Sequence, residues 1–171
     1  REAIEETNRL LYEEAAKDPE HTGMGSTLVA ATVQYDTLYV ANVGDSRAYA
    51  VRNHEIMQIT KDHSVVEEMV ANGCLTREEA KNHPQRNMIT RAVGTDPTVE
   101  ADVFEYDFLP GDCLLLCSDG LSGMLEDTEI LSILEQDTSA KQTVTALIDA
   151  ANERGGRDNI TAICIRFAQE G

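Results

Sequence analysis

Three strand-like runs follow one another with only turn residues between them: STLVAATVQ (26–34), TLYVANV (37–43) and RAYAVR (47–52), punctuated by Gly23, Gly25, Asp36 and Gly44. Runs rich in β-branched and aromatic residues and joined this directly make a meander of antiparallel strands. RNHE (52–55) offers a short turn into a further strand, EIMQIT (55–60). Later strands are predicted at TVEADVFEYDF (98–108), DCLLLC (112–117) and NITAICIRF (159–167), with helical patterns at 127–135 and 139–152. Strands in succession with helices arriving in blocks specify an antiparallel α+β layered domain rather than a doubly wound parallel sheet.

Helices are expected in two further places. Residues 1–17 set Ile4, Leu10, Leu11 and Ala15 at helical spacing among acidic residues, which suits an amphipathic helix lying on a core. SVVE (64–67) and TREE (76–79) match the capping box, and Gly73 is placed to close the first of these helices. Two short helices in tandem would suit a DNA-reading motif, but Glu67, Glu68, Glu78 and Glu79 make that pair an acidic surface excursion instead.

The formal net charge of −17 excludes nucleic acid as a partner and disfavours an anionic membrane surface, because both kinds of binding rely on lysine and arginine. No apolar stretch approaches the ~20 residues that span a bilayer, and no signal peptide is visible, so a cytoplasmic location is expected. At 171 residues and 42% apolar content the chain is expected to form one domain, 1–171. It opens at Arg1 without a methionine and reads as part of something longer. Cys74, Cys113, Cys117 and Cys164 show no CxxC spacing and read as reduced thiols. A cysteine-dependent phosphatase needs an arginine six residues beyond its nucleophile; those positions hold Ala80, Asp119, Gly123 and Glu170, which rules that chemistry out.

Asp119 lies just beyond the end of DCLLLC and Asp158 just before the start of NITAICIRF. If these strands pair antiparallel, the end of one meets the start of the other and the carboxylates converge. Asp45, in VGDSRAY, sits where two consecutive strands join and is expected at the same rim. Converging carboxylates repel unless a cation lies between them, and oxygen-only ligands select hard ions such as Mg²⁺ or Mn²⁺. Taken singly, SDG, RDN and GDS also read as ordinary turn or capping sequences.

GMGSTLVAATV, VANVGDSRAYAVR, ITKDHSVVEEMV, HPQRNMITRAVG, LLLCSDGLSGML and GGRDNITAICIRF, in that order, resemble the bacterial branch of the metal-dependent serine/threonine protein phosphatases, the type 2C family. The resemblance implies a sandwich of two antiparallel sheets flanked by helices, with a metal centre at one end. It implies that Asp119 and Asp158 bind the first catalytic metal and that Asp45 helps bind a third, weaker one. The segment from about Asp62 to Arg91 resembles the mobile flap beside the site. The implied reaction is hydrolysis of phosphoserine or phosphothreonine on proteins by a metal-activated water, with no side-chain nucleophile and two cations, or three in bacterial members. The implied partners are phosphorylated proteins and a cognate serine/threonine kinase.

The family's N-terminal segment carries an acidic residue, a phosphate-contacting arginine and an Asp-Gly pair bridging both metals, and nothing here aligns with it. On that reading the chain alone is a weak or inactive catalyst, and its uncovered strands favour self-association. Gly123 stands where some relatives carry an aspartate ligand. Two alternatives stay open: a non-catalytic regulatory or interaction domain of the same fold, and a phosphatase of anti-sigma-factor antagonists. GMGST lacks the third glycine of a nucleotide loop, having Leu28 there, and HEIMQ lacks the second histidine of a zinc helix. His63 and Arg91 border the flap, where they are placed to influence substrate entry. No substrate-binding residue is assigned.

Overall fold

The computed structural model of the chain describes residues 1–35 and 37–168; Asp36, read from sequence as turn punctuation, lies outside the described residues. The described residues form two compact units, 1–28 with 41–45 and 61–103, and 29–40 with 46–60 and 104–168. Two antiparallel sheets are present, as expected. One has the order β1-β2-β5, from β1 (Leu28–Gln34), β2 (Thr37–Val43) and β5 (Asp102–Asp107). The other has the order β4-β3-β6-β7, from β3 (Arg47–Arg52), β4 (Glu55–Gln58), β6 (Cys113–Cys117) and β7 (Ala162–Arg166).

In the second unit β6 is the organising strand, and all five of its residues are buried. Side chains alternate across a strand, so one set faces helices and the other faces the opposite sheet. Cys113, Leu115 and Cys117 join Tyr49 and Val51 in a cluster with Leu121, Ile130, Leu134, Leu147 and Ala151, contributed by α4 (Asp119–Ser122), α5 (Asp127–Leu134) and α6 (Ala140–Glu153). Leu114 and Leu116 join Leu38, Val40 and Ala48, with Phe104 and Tyr106 against them. Each buried leucine contributes about 1.5–3 kcal/mol, so an uninterrupted CLLLC run suits a strand with no solvent face. Ser139 and Gln142 form the expected capping box at the start of α6.

Arg52 holds the remote end of this unit. Its Nε and second terminal nitrogen donate to Asp112 Oδ1 and Oδ2 at 2.9 and 2.6 Å, and its guanidinium lies 5.0 Å from the Tyr106 ring centroid. Burial alone would raise the Asp112 carboxyl, but Arg52 and the Leu109 N–H together hold it below the ordinary aspartate range. The RNHE turn is a two-residue loop: Arg52 pairs with Glu55, while Asn53 and His54 both have positive φ, 51° and 65°.

In the first unit α1 (Glu2–Ala15) buries a face that differs from the expected one. Leu10 is exposed, whereas Asn8 is 1% exposed and takes its place. The Asn8 Oδ1 accepts from Gly94 N at 2.7 Å and its Nδ2 donates to Asp96 O at 3.0 Å. Ile4 and Leu11 do pack inward, against Val43, Val93 and Ala101. The acidic excursion contains α2 (Val65–Ala71) and α3 (Arg77–Lys81). Thr76 and Glu79 make a complete capping box on α3. Ser64 caps α2 through the Glu67 N–H, while the Glu67 carboxylate is taken by Arg77, at 2.9 and 3.2 Å. Gly73, at φ 71°, ends α2.

Candidate metal centre

β6 pairs with β7 antiparallel, Cys117 opposite Ala162 and Cys113 opposite Arg166. The ladder continues past both strands: Ser118 N donates to Thr161 O at 3.1 Å, Thr161 N donates to Ser118 Oγ at 3.0 Å, and Ser118 Oγ donates to Asn159 O at 3.1 Å. This carries Asp119, at the first turn of α4, to the segment holding Asp158. Gly120 permits the approach, because a Cβ there would stand 2.9 Å from the Asn159 carbonyl carbon. Asp158 Oδ1 accepts from Asn159 N at 2.7 Å.

The Asp119 carboxyl is raised above the ordinary aspartate range, first by burial and then by the charge of Asp158. The Gly120 and Asp119 N–H groups and the Arg47 guanidinium oppose that rise. The ladder and the close approach at Gly120 bring together the two segments that carry these residues. Arg47 and Ser118 are the contributors that the sequence reading passed over. Arg47 opens β3 at the end opposite Cys117 in the ladder, as Arg52 closes its other end, and that register is the signal for it.

The donor chemistry fits a hard cation: two mutually repelling carboxylates with no nitrogen or sulfur donor among the candidates. Among the described residues no group of three or more His, Cys, Asp or Glu side chains is arranged to hold a metal. Asp45 belongs to the other unit, at the β2–β3 turn.

His63 and Arg91, the residues bordering the flap, meet on one carboxylate. His63 Nε2 lies 3.2 Å from Asp102 Oδ2, and Arg91 donates to Asp102 Oδ1 at 2.9 Å. Burial would raise the Asp102 carboxyl, but these two partners lower it overall. His63 Nδ1 accepts from Gly44 N at 3.0 Å, so the ring proton sits on Nε2, facing Asp102. The two ends of the excursion are also joined by backbone, Ser64 bridging Ile89 and Thr90 N donating to His63 O at 2.8 Å.

Residues 1–69 match the family model for Protein phosphatase 2C. The chain is 41% identical over 165 residues to the serine/threonine phosphatase stp of Listeria monocytogenes, covering 96% of this chain and 66% of that protein. A crystal structure of a bacterial serine phosphatase superposes with a TM-score of 0.94 at 40% identity, covering 100% of this chain and 69% of that one. The catalytic domain of serine/threonine phosphatase PstP, solved in complex with two manganese ions, gives 0.86 at 34% identity over 95% of this chain and 67% of that one. The chain belongs to the protein phosphatase 2C family. It spans about two thirds of the length of the relatives it matches. Among the described residues no helix is long and apolar enough to cross a membrane.

Proposed function

We propose that the whole protein hydrolyses phosphoserine and phosphothreonine on proteins, dependent on Mg²⁺ or Mn²⁺, in the cytoplasm and opposed by a cognate serine/threonine kinase. Residues 1–171 are taken as one phosphatase-like domain with its flap at about 62–91. The observation that supports the reading is the backbone approach of the segments carrying Asp119 and Asp158, where the β6–β7 ladder ends and Gly120 meets Asn159. Asp119 and Asp158 are assigned as protein ligands of a first cation, and Asp45 as a ligand of a weaker, further one. When bound, such cations supply Lewis acidity and a water that ionises near neutral pH.

The chain's own residues hold and tune that corner. Ser118 ties the two carboxylate-bearing segments together, and Gly120 keeps them close. Arg47 tempers the repulsion between the carboxylates. A phosphoprotein approaching a chain of net charge −17 is repelled unless local cations reverse the field, which agrees with a metal-loaded site. Ile163 and Ile165 lie exposed on β7, an edge strand, and self-association through that edge belongs to the proposal.

The test is Mn²⁺-dependent phosphate release from a phosphothreonine peptide by the whole protein and by the 171-residue chain, with Asp119→Ala and Asp158→Ala alongside. Both substitutions are expected to abolish release in the whole protein. Unchanged release would reject the ligand assignment, and a folded whole protein with no release at all would favour an interaction domain.

A further inference from the structure

We propose that Cys113 and Cys164 are a peroxide-responsive thiol pair, a modification site on the β6–β7 ladder toward the end remote from Asp119 and Asp158. Cys113 stands opposite Arg166 and Cys164 opposite Leu115, so the two cysteines are diagonal neighbours on one face of the sheet. Their Sγ atoms are 3.5 Å apart. A disulfide needs ~2.0 Å between sulfurs, and diagonal ladder positions stand about 7–8 Å apart at Cα, so closing the bond draws the edge strand β7 toward β6 as the side chains rotate. Cys117, in the same run, faces Ala162 across the ladder.

The pair is asymmetric in a way that assigns roles. Cys113 is buried, while Cys164, half-buried on an edge strand, is the more exposed of the two. Arg166 is held beside it by its bonds to Leu134 O, Gln136 O and Thr143 Oγ1, at 3.0, 3.3 and 3.1 Å. The Cys113 hydrogen bond, then the Arg166 charge, lower the Cys164 thiol to about 7 against the opposing effect of burial. The Cys113 thiol is pushed up by the same contact and by burial. A buried cysteine packed only against carbon is inert, whereas a thiolate beside a fixed cation and a second thiol is the arrangement that oxidises selectively.

The chemistry balances with hydrogen peroxide as the oxidant. The Cys164 thiolate attacks one peroxide oxygen; an S–O bond forms, the O–O bond breaks, and hydroxide leaves to take up a proton as water. Cys113 then attacks the sulfenic sulfur; an S–S bond forms, the S–O bond breaks, and the departing hydroxide leaves as water with the Cys113 proton. Two thiols lose two electrons, and one peroxide becomes two waters.

The experiment uses the full 171-residue chain carrying Cys74→Ser, which removes the exposed thiol that would cross-link copies. After peroxide, the denatured chain is alkylated and weighed, and the bridge is placed by tandem mass spectrometry. The expected result is loss of two hydrogens and of two alkylatable thiols, a bridge between positions 113 and 164, and full reversal by dithiothreitol. Cys164→Ala is expected to abolish the response, and Cys113→Ala to leave a sulfenic acid on Cys164 that dimedone traps. Should either variant fail to fold by circular dichroism, the peptide map of the parent chain alone decides. Retention of all three remaining thiols, or a bridge to Cys117, overturns the proposal.

Discussion

Replacing Gly120 by alanine is the sharpest way to disturb the carboxylate pair without touching a carboxylate. The added Cβ would stand 2.9 Å from the Asn159 carbonyl carbon, nearer still to its oxygen, and 3.5 Å from the Asp158 carbonyl carbon. Non-bonded carbons settle at about 3.5–4.0 Å, so the segments must part by roughly 0.6–1 Å. Neither side yields easily, because the obstacle is backbone and Asn159 O is already held by Ser118 Oγ. Overpacking of this kind costs about 1–3 kcal/mol, and in a chain of this length that lowers Tm by roughly 2–12 °C. The same displacement carries Asp158 away from Asp119, so Mn²⁺ affinity falls together with stability. Ser118→Ala is the control: it removes hydrogen bonds at the same place without adding bulk, and it is expected to cost less, about 0.5–1.5 kcal/mol. Calorimetric melting and Mn²⁺ titration of both variants read the two effects. A Gly120→Ala chain that melts and binds Mn²⁺ as the wild type does would refute the argument that this close approach sets the spacing of the carboxylates.

Asp112→Ala is expected to cost about 2–4 kcal/mol in urea unfolding, near the range for breaking a buried pair, because Arg52 loses its partner while keeping partial access to water. The Asp112 carboxyl is lowered in the fold, so its stabilisation is complete above the ordinary value of 3.8 and is lost as pH falls through the lowered one; the variant's acid-unfolding curve should lose that contribution. His54→Gly replaces a left-handed histidine at φ 65° with the preferred Asn-Gly turn and is expected to be neutral to stabilising by up to about 1 kcal/mol, less what the His54–Glu135 contact supplies; a clear loss of Tm would contradict the strain argument. Asp102→Asn weakens the shared anchor of His63 and Arg91, so amide exchange across 62–91 should rise with little change in global Tm. Unchanged protection there would show that the Ser64–Ile89 backbone bridge suffices to hold the stem.

Much of the fold was legible because the strands announce themselves locally. RAYAVR and TLYVANV became strands with the bounds read for them, and CLLLC proved buried on both faces. The meeting of the segments that carry Asp119 and Asp158 was legible for a related reason: antiparallel pairing turns two distant sequence positions into neighbours by register alone. What escaped was non-local. In α1 the spacing 4, 8, 11 and 15 does mark position 8 for the buried face and leaves Leu10 off it, but a polar Asn8 gives no apolar signal, and its value lies in backbone partners at positions 94 and 96. The half-formed cap on α2 depends on Arg77 taking Glu67, a competition between two helices that no motif records. Asp45 was read at a strand junction, and it does lie between β2 and β3. Ser118 was overlooked because its neighbour carries the charge, although the hydroxyl makes the connection.

Because β6 has both faces occupied, it has no surface on which variation is cheap. A lineage carrying this strand can revise its chemistry only downstream, in the few residues that emerge where the ladder ends. Saturation mutagenesis should therefore show near-uniform intolerance along β6, while just beyond Ser118 the outcome splits by position: Asp119 substitutions change what is bound, whereas Gly120 and Leu121 substitutions still cost stability.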